Sequence, residues 1–393
     1  MTDKNQKGTS VSLRGEVVLY PSKGNIDPEF SKRITALRFA LAVLVVFIHN
    51  GINKAIHFAD GDVIIEMPLW IQIIHDTMSH YWGGIAVPTF FIISGYLFFA
   101  KPKPTIKTVQ SKLKGIVLPY ILWTALAILL FFVAQSFEFS KPYFAQPDNI
   151  VRNWDIGDYF KALLTWDTAA DADTALHAPF VAPFWYVRDL IIVMLLSPII
   201  KFFAGKFPAA WLILVTALNV AEMLHITNIQ YGFTNALFYF SLGFYAVKHI
   251  GKVMDFLDSI KWRDFIAAYG FSFVLIVYAR MNQLTGSGFV SWFNLLFTIG
   301  LAIKIAGVVS KKEKIYAKLS HLSGFSFWIF AAHLPFVLPV MRKLIVKIIP
   351  MHGVWILVYF FGVVILCVGL LLIFGIALKR LLPKVFAMFN GGR

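Results

Sequence analysis

Arg38 and His49 are the residues that chemistry points to first, because they stand eleven positions apart in an otherwise apolar stretch, Arg33-Ile-Thr-Ala-Leu-Arg38-Phe-Ala-Leu-Ala-Val-Leu-Val-Val-Phe-Ile-His49-Asn50. A helix rises about 1.5 Å and turns about 100° per residue, so the step between them is roughly 16 Å with only ~20° of drift. The two side chains therefore share a face. Ionisable groups inside a bilayer are costly, and they usually point into a protein interior or a wet cavity on a substrate or proton path. An imidazole there can accept or give a proton near neutral pH. The alternative has Arg38 snorkelling to headgroups and His49 at the opposite interface, which explains each residue but not their common face.

Other polar groups interrupt the apolar runs. The stretch Pro183-Phe-Trp185-Tyr-Val-Arg188-Asp189-Leu sets a cation beside a carboxylate, and neighbours in sequence do not share a helix face. Each is expected to find a partner elsewhere or to snorkel outward. Asn219, Glu222 and Asn235 suit helix-to-helix hydrogen bonding or acceptor binding. In Ser323-Gly-Phe-Ser-Phe-Trp328-Ile-Phe-Ala-Ala-His333-Leu-Pro335, ten residues of helix raise His333 about 15 Å above Ser323, near the level of His49. The pair Ser94-Gly95 allows close helix approach, and Ser94 lacks the G-x-S-x-G setting of a nucleophile. Between 53 and 81, His57, Asp60, Asp62, Glu66, His75, Asp76 and His80 match no zinc spacing, so no metal is expected. The single cysteine, Cys367, excludes an intrachain disulfide.

The elements that must hold these groups are membrane helices. The chain of 393 residues is 58% hydrophobic and only 15% charged, with a mean hydropathy of +0.71, too apolar for a soluble domain. The expected fold is an all-α polytopic bundle of about ten spans, near 34–52, 82–100, 115–136, 183–200, 208–224, 232–248, 264–280, 289–308, 323–341 and 353–378. An N-terminal segment 1–33 and a tail 379–393 flank it, and no cleaved signal peptide is read. One set of connections holds 25 of the 36 Lys and Arg residues and the other set eight. Positive-inside bias makes the richer side, with both termini, cytoplasmic. The net charge of +15 then reflects topology and anionic lipid, and calls for no nucleic acid. The long outer segment 137–182, with Glu138, Asp148, Trp154, Asp155, Asp158, Trp166, Asp167, Asp171, Asp173 and His177, suits either a cover over a sugar acceptor or a plain solvated loop.

Taken together, Arg38-x10-His49, Phe90-Phe-Ile-Ile-Ser94-Gly95-Tyr96-Leu97, the Phe184-Trp185-Tyr-Val-Arg188-Asp189-Leu…Ser197-Pro198 run and the Ser326-Phe-Trp328-Ile-Phe-Ala-Ala-His333-Leu-Pro335 segment resemble the acyltransferase-3 family of integral-membrane acyltransferases. The resemblance spans about residues 33 to 380, and is to stand-alone members without a fused esterase-like domain. It implies a bacterial cytoplasmic membrane protein that transfers an acyl group, usually acetyl, from cytoplasmic acyl-CoA to a hydroxyl of an extracytoplasmic or lipid-linked glycan. It also implies catalytic importance for Arg38 and His49. On that footing Arg38 is the cofactor anchor, aided by Arg33 and by Lys101 or Lys103. His49 is the general base or the acyl carrier. Asp189, with Glu222 next, is the expected carboxylate partner of His49. Trp185, Arg188, Glu222 and His333 are expected at the substrate, His333 polarising the thioester oxygen, binding the acceptor, or simply packing. Membrane lipids and polysaccharide assembly or export proteins are the further partners expected. The rival reading is a transporter or flippase for a glycolipid or small solute, although no internal repeat supports one.

Overall fold

A computed structural model describes residues 26–52, 55–58, 61–101, 105–140, 150–165, 178–224, 226, 231–282, 284 and 287–392. Lys103, Trp166, Asp167, Asp171, Asp173 and His177 lie outside the described residues. Among the described residues the regular structure is helical except for one hairpin, β1 (Ala55–Phe58) and β2 (Gly61–Ile64), paired antiparallel with Ala55 opposite Ile64. Helix α1 runs Pro28–His49, and α2 (Leu69–Asp76) leads through a π-helical turn (Thr77–Trp82) and a 3-10 turn (Gly83–Ile85) into α3 (Ala86–Phe99). There follow α4 (Thr105–Ala134), the short α5 (Ile156–Leu164), α6 (Trp185–Leu195), α7 (Ser197–Lys206), α8 (Pro208–Met223), α9 (Tyr231–Ser259), α10 (Trp262–Met281), α11 (Ser287–Ser310), α12 (Glu313–Ser323) and α13 (Ser326–Ala332). A second π-helical turn (His333–Val337) precedes α14 (Leu338–Ile345), α15 (Trp355–Leu381) and α16 (Pro383–Phe389).

Among the described residues, six helical segments are long and apolar enough to cross a membrane: Leu69–Phe99, Gly115–Ala134, Trp262–Ala279, Gly288–Ser310, Ser326–Ile345 and Trp355–Leu381. They coincide with six of the ten expected spans. The other four expected spans are helical but of a different kind. The first is α1, which includes Lys32, Arg33 and Arg38, and the fourth breaks at Leu196 into α6 and α7, where Pro198 starts a new helix. The fifth is the 16-residue α8, and the sixth is the front of the 29-residue α9.

Helix α1 is the axis of the bundle, packed against α3, α9, α11, α12, α13, α15 and the first π-helical turn. Its start is fixed locally. The Asp27 side chain accepts from the Phe30 N–H at 2.8 Å, Pro28 opens the first turn, and Glu29 sits where the helix dipole favours an anion. Around that start the charges are paired. Buried Arg33 grips Asp258 at 3.0 and 2.5 Å and reaches Glu29 at 3.5 Å, while Lys304 Nζ donates to the Leu257 carbonyl at 2.7 Å and so caps the end of α9. The Arg33 guanidinium draws the Asp258 carboxyl below its ordinary range through that hydrogen bond. Gly307 makes room for it, since a Cβ there would fall 2.7 Å from Arg33 Cζ.

Helices α3 and α9 cross backbone to backbone. A Cβ on Gly243 would lie 2.5 Å from the Ile92 carbonyl oxygen, and one on Gly95 would collide with the Phe240 carbonyl. The expected close approach at Ser94-Gly95 is therefore real, and Ser94 Oγ lies 3.3 Å from the Tyr186 hydroxyl, tying α3 to α6.

Candidate active site

The far end of α1 is where the fold departs from regular helix twice. One π-helical turn, 77–82, packs on it directly: Ser79 Oγ donates to the Phe47 carbonyl at 3.1 Å, and a Cβ at Gly83 would stand 2.8 Å from Ile48 Cγ1. The second, 333–337, contains Leu334 at φ −118°, ψ 151°, an extended residue inside a helical path. Pro335 explains the break, because proline disfavours helical backbone at the residue before it. π-helical turns widen a helix and free backbone groups, and they recur where a membrane helix lines a site.

Between these two interruptions stands the imidazole pair. His49 and His333 have ring centroids 5.2 Å apart with planes at 42°. His333 is fully buried, whereas His49, like Arg38, is half-buried. His333 Nδ1 faces the Phe330 carbonyl at 2.7 Å and the Ile329 carbonyl at 3.2 Å. A carbonyl accepts only, so Nδ1 must hold the proton. The neutral ring therefore presents Nε2 as a lone pair, and among the described residues that buried atom has no hydrogen-bond partner. In its neutral form His333 has no hydrogen at Nε2 to give to a thioester oxygen. It can accept one, from a hydroxyl.

The sequence-derived partners separate into those the structure brings near and those it does not. His333 joins His49, as the matched depths implied. Asp189 does not: its Oδ1 takes a hydrogen bond from Arg188 Nε at 2.8 Å, and its Oδ2 points at Gly232, where a Cβ would be 2.5 Å away. No hydrogen bond links Asp189 to His49 among the described residues. The adjacent Arg188 and Asp189 thus pair with each other, against expectation, because the long arginine side chain bends back across the 100° between their faces. Arg188 also donates to the Leu164 carbonyl at 2.7 Å, and half-buried Trp185 lies over Gly232. Glu222 is buried on α8, near the Asn219 Nδ2 to Asn235 Oδ1 hydrogen bond of 3.1 Å. Lys101 is exposed at the opposite end of α3. Arg33 is corrected outright as a cofactor ligand, since its guanidinium is 2% exposed and spent on Asp258 and Glu29.

His75, Asp76 and His80 bring ligand atoms within 4.8 Å of one another. The hydrogen bonding there works against a cation. His75 Nε2 accepts from the Ile52 N–H at 3.1 Å, which leaves its proton on Nδ1, directed at Asp76 Oδ1 at 2.9 Å. A metal on Nδ1 would force that proton onto Nε2, against the Ile52 amide hydrogen. The trio instead pins the first π-helical turn to the end of α1.

A sequence profile of the acyltransferase domain matches residues 31–374, from within the first turn of α1 to within α15. The chain belongs to the acyltransferase-3 family. This acyltransferase is 26% identical over 383 residues, covering 94% of each chain, to the succinoglycan biosynthesis protein ExoH of Rhizobium meliloti (strain 1021). No solved structure matches it at a significant level. Family membership and the apolar helices make it a multi-pass membrane acyltransferase. Sequence reasoning found His49 and His333 separately, but the tautomer that fixes what His333 can do depends on the α13 carbonyls, and no residue pattern signals it.

Proposed function

We propose that this acyltransferase moves an acyl group, acetyl by expectation, from cytoplasmic acyl-CoA to a hydroxyl of an extracytoplasmic or lipid-linked glycan, in a bacterial cytoplasmic membrane. The carrying observation is the imidazole pair: His49, partly open, stands 5.2 Å from a His333 whose Nε2 lone pair is buried and unpartnered. Family membership supports the acyl chemistry, and the name of the Rhizobium meliloti relative supports a polysaccharide acceptor.

Arg38, about 16 Å along the same helix, suits a phosphate or amide of the CoA. The pantetheine arm is long and thin, so it delivers the thioester to His49 while the nucleotide stays at the other end. In the direct route His49 takes the acceptor hydroxyl proton, the oxygen bonds to the thioester carbon, the C–S bond breaks, and the departing thiolate recovers the proton. In the two-step route one His49 nitrogen takes the acyl group, the C–S bond breaks and the departing thiolate takes the proton from the other ring nitrogen; the hydroxyl then displaces the imidazole, its proton returning to the freed ring. In the two-step route His333 Nε2 accepts the hydrogen bond of the reacting hydroxyl and aims its oxygen; in the direct route, where that hydrogen goes to His49, it accepts from a neighbouring hydroxyl of the acceptor. Only the acyl group crosses the membrane.

The test follows label from isotopic acetyl-CoA into envelope glycan, using membranes with the intact protein and with His49→Ala at equal abundance. Label that appears with the first and vanishes with the second is expected. Intact protein that binds acetyl-CoA and acceptor yet transfers nothing would give the transporter reading first place.

A further inference from the structure

On the other face of the first π-helical turn lies a cleft of about 210 Å³, framed by that turn, the end of α8, α9 and α11. The side chains that give it chemical character are His80, Tyr81, Tyr239, Ser291, Trp292 and Asn294. Three are aromatic, three are small or medium polar groups, and among the described residues no Asp, Glu, Lys or Arg lines it. Lipid tails do not ask for such a lining, and a CoA phosphate would meet no cation there. Rings that offer flat apolar faces, edged by neutral donors and acceptors, match a ligand with C–H faces and hydroxyl edges.

Two details argue that the cleft is built for an occupant. The Trp292 indole N–H is buried and has no partner among the described residues, a cost in a membrane protein that a ligand hydroxyl would remove once the ring shifts to turn that closed-off atom toward the cleft. The Asn294 amide is 1% exposed and held by its Nδ2 hydrogen bond to Ser272 Oγ at 2.9 Å, so it enters the cleft wall in a fixed orientation. The cleft is also coupled by position to the imidazole pair. His80 and Tyr81 sit on the turn whose Ser79 bonds to Phe47, two residues before His49.

We infer that this cleft is a neutral saccharide site, holding one sugar of the acceptor glycan on the extracytoplasmic side while a neighbouring sugar presents its hydroxyl to His49 and His333. The inference rests on the acyltransferase reading above and adds where the acceptor is gripped. Such a site gives selection by the glycan chain rather than by the reacting hydroxyl alone. It also keeps the acceptor and the CoA nucleotide at opposite ends of α1.

The test uses full-length protein in membranes, labelled acetyl-CoA, and de-acylated oligosaccharides released from the envelope of the same cells as the acceptor probe. Trp292→Phe removes the N–H and keeps an aromatic ring of smaller size, and Ser291→Trp fills the cleft. The first is expected to raise the acceptor concentration for half-maximal transfer about tenfold, the effect of one lost hydrogen bond, and the second to raise it further. The dependence on acetyl-CoA should stay within about twofold in both, on the same scale. Unchanged acceptor dependence in both variants, beside an active intact protein, overturns the cleft and leaves the acyltransferase reading standing. An equal deterioration of acceptor and acetyl-CoA dependence in both variants also overturns it, since that marks general disruption. Absence of transfer by intact protein is the separate failure of the acyltransferase reading itself.

Discussion

Replacing His333 by asparagine separates the two jobs of its ring. The asparagine Nδ2 reaches nearly the position of the imidazole Nδ1, so it can keep the hydrogen bond to the Phe330 carbonyl that the ring makes at 2.7 Å. It has nothing at the position of Nε2. The local turn is preserved and the buried lone pair, now without a partner, is removed. An acceptor hydroxyl that bonded to Nε2 would then be left unsatisfied in a dry site, at a cost of about 1–3 kcal/mol. That converts to a fall of roughly 5- to 150-fold in kcat/KM for the acceptor. His333→Gln sets an amide near Nε2 but abandons the carbonyl bond, so it should lose stability and keep part of the acceptor preference. Initial rates of label transfer would be taken against acceptor at saturating acetyl-CoA and against acetyl-CoA at saturating acceptor, with thermal unfolding of the purified variants alongside. Full activity of His333→Asn would refute the argument, because it would show that Nε2 touches nothing in the reaction. An unfolding temperature that falls for Asn as far as for Gln would refute it too, by placing the ring's value in packing.

The remaining predictions test the rest of the helix. Arg38→Ala should raise the KM for acetyl-CoA by about 10-fold or more, as loss of a charge-assisted contact does, whereas Arg33→Lys should leave that KM unchanged and lower the unfolding temperature, because the bidentate grip on Asp258 is lost. Gly243→Ala should destabilise the purified protein by at least 1–3 kcal/mol, roughly the cost of overpacking, since its Cβ would be driven to 2.5 Å from the Ile92 carbonyl, and denaturant unfolding reads this directly. The Arg33–Asp258 pair makes stability acid-sensitive: with the Asp258 carboxyl drawn below its ordinary value, its contribution is present above the unfolded-state value of about 4 and is lost as pH falls through the folded one. Thermal unfolding followed from pH 6 to pH 3 should fall less steeply in Asp258→Asn than in the intact protein.

How far the sequence could be read depends on whether each feature is local. Apolar runs, the Arg38 to His49 step and the Ser94-Gly95 pair are one-dimensional signals, and they located α1, the six helices long and apolar enough to cross a membrane, and a point of close helix approach on α3, though not its partner α9. Matching rises along two helices also put His333 at the depth of His49. What failed was the partner of each ionisable group. Arg33 looked like a cytoplasmic cation available to a phosphate, yet Asp258, 225 residues away, claims it, and only the packing of α9 against α1 reveals that. Arg188 and Asp189 failed for a different reason. A rule about helix faces treats side chains as directions, whereas arginine is long enough to turn a corner.

The two irregular turns explain why chemistry would be placed at this end of α1 and not at the other. A helix satisfies its own backbone and so offers a ligand only side chains, which in a bilayer are mostly apolar. At Leu334 the path of the ninth expected span leaves helical geometry just after His333, and the ring closes the gap by bonding back to the Phe330 carbonyl. The break therefore consumes the Nδ1 proton and dictates the direction of the Nε2 lone pair. At Thr77–Trp82 the widened turn carries Ser79 toward Phe47 on one side and His80 and Tyr81 toward the cleft on the other. At the opposite end of α1 the charges are closed into pairs, with Arg33 on Asp258 and Lys304 on the α9 carbonyls. The closed end fixes where the helix starts, so that sixteen residues after Arg33 the imidazole arrives between two turns that cannot be regular. Straightening the second break should separate the rings, and the substitution that asks this is Pro335→Ala. If the extended Leu334 is what aims His333, this variant should lose glycan labelling by at least the 5- to 150-fold set by loss of the Nε2 contact. It should do so without loss of unfolding temperature, since a continuous helix is the more regular structure. Undiminished labelling would show that the ring is aimed by its neighbours and that the break has no part in it.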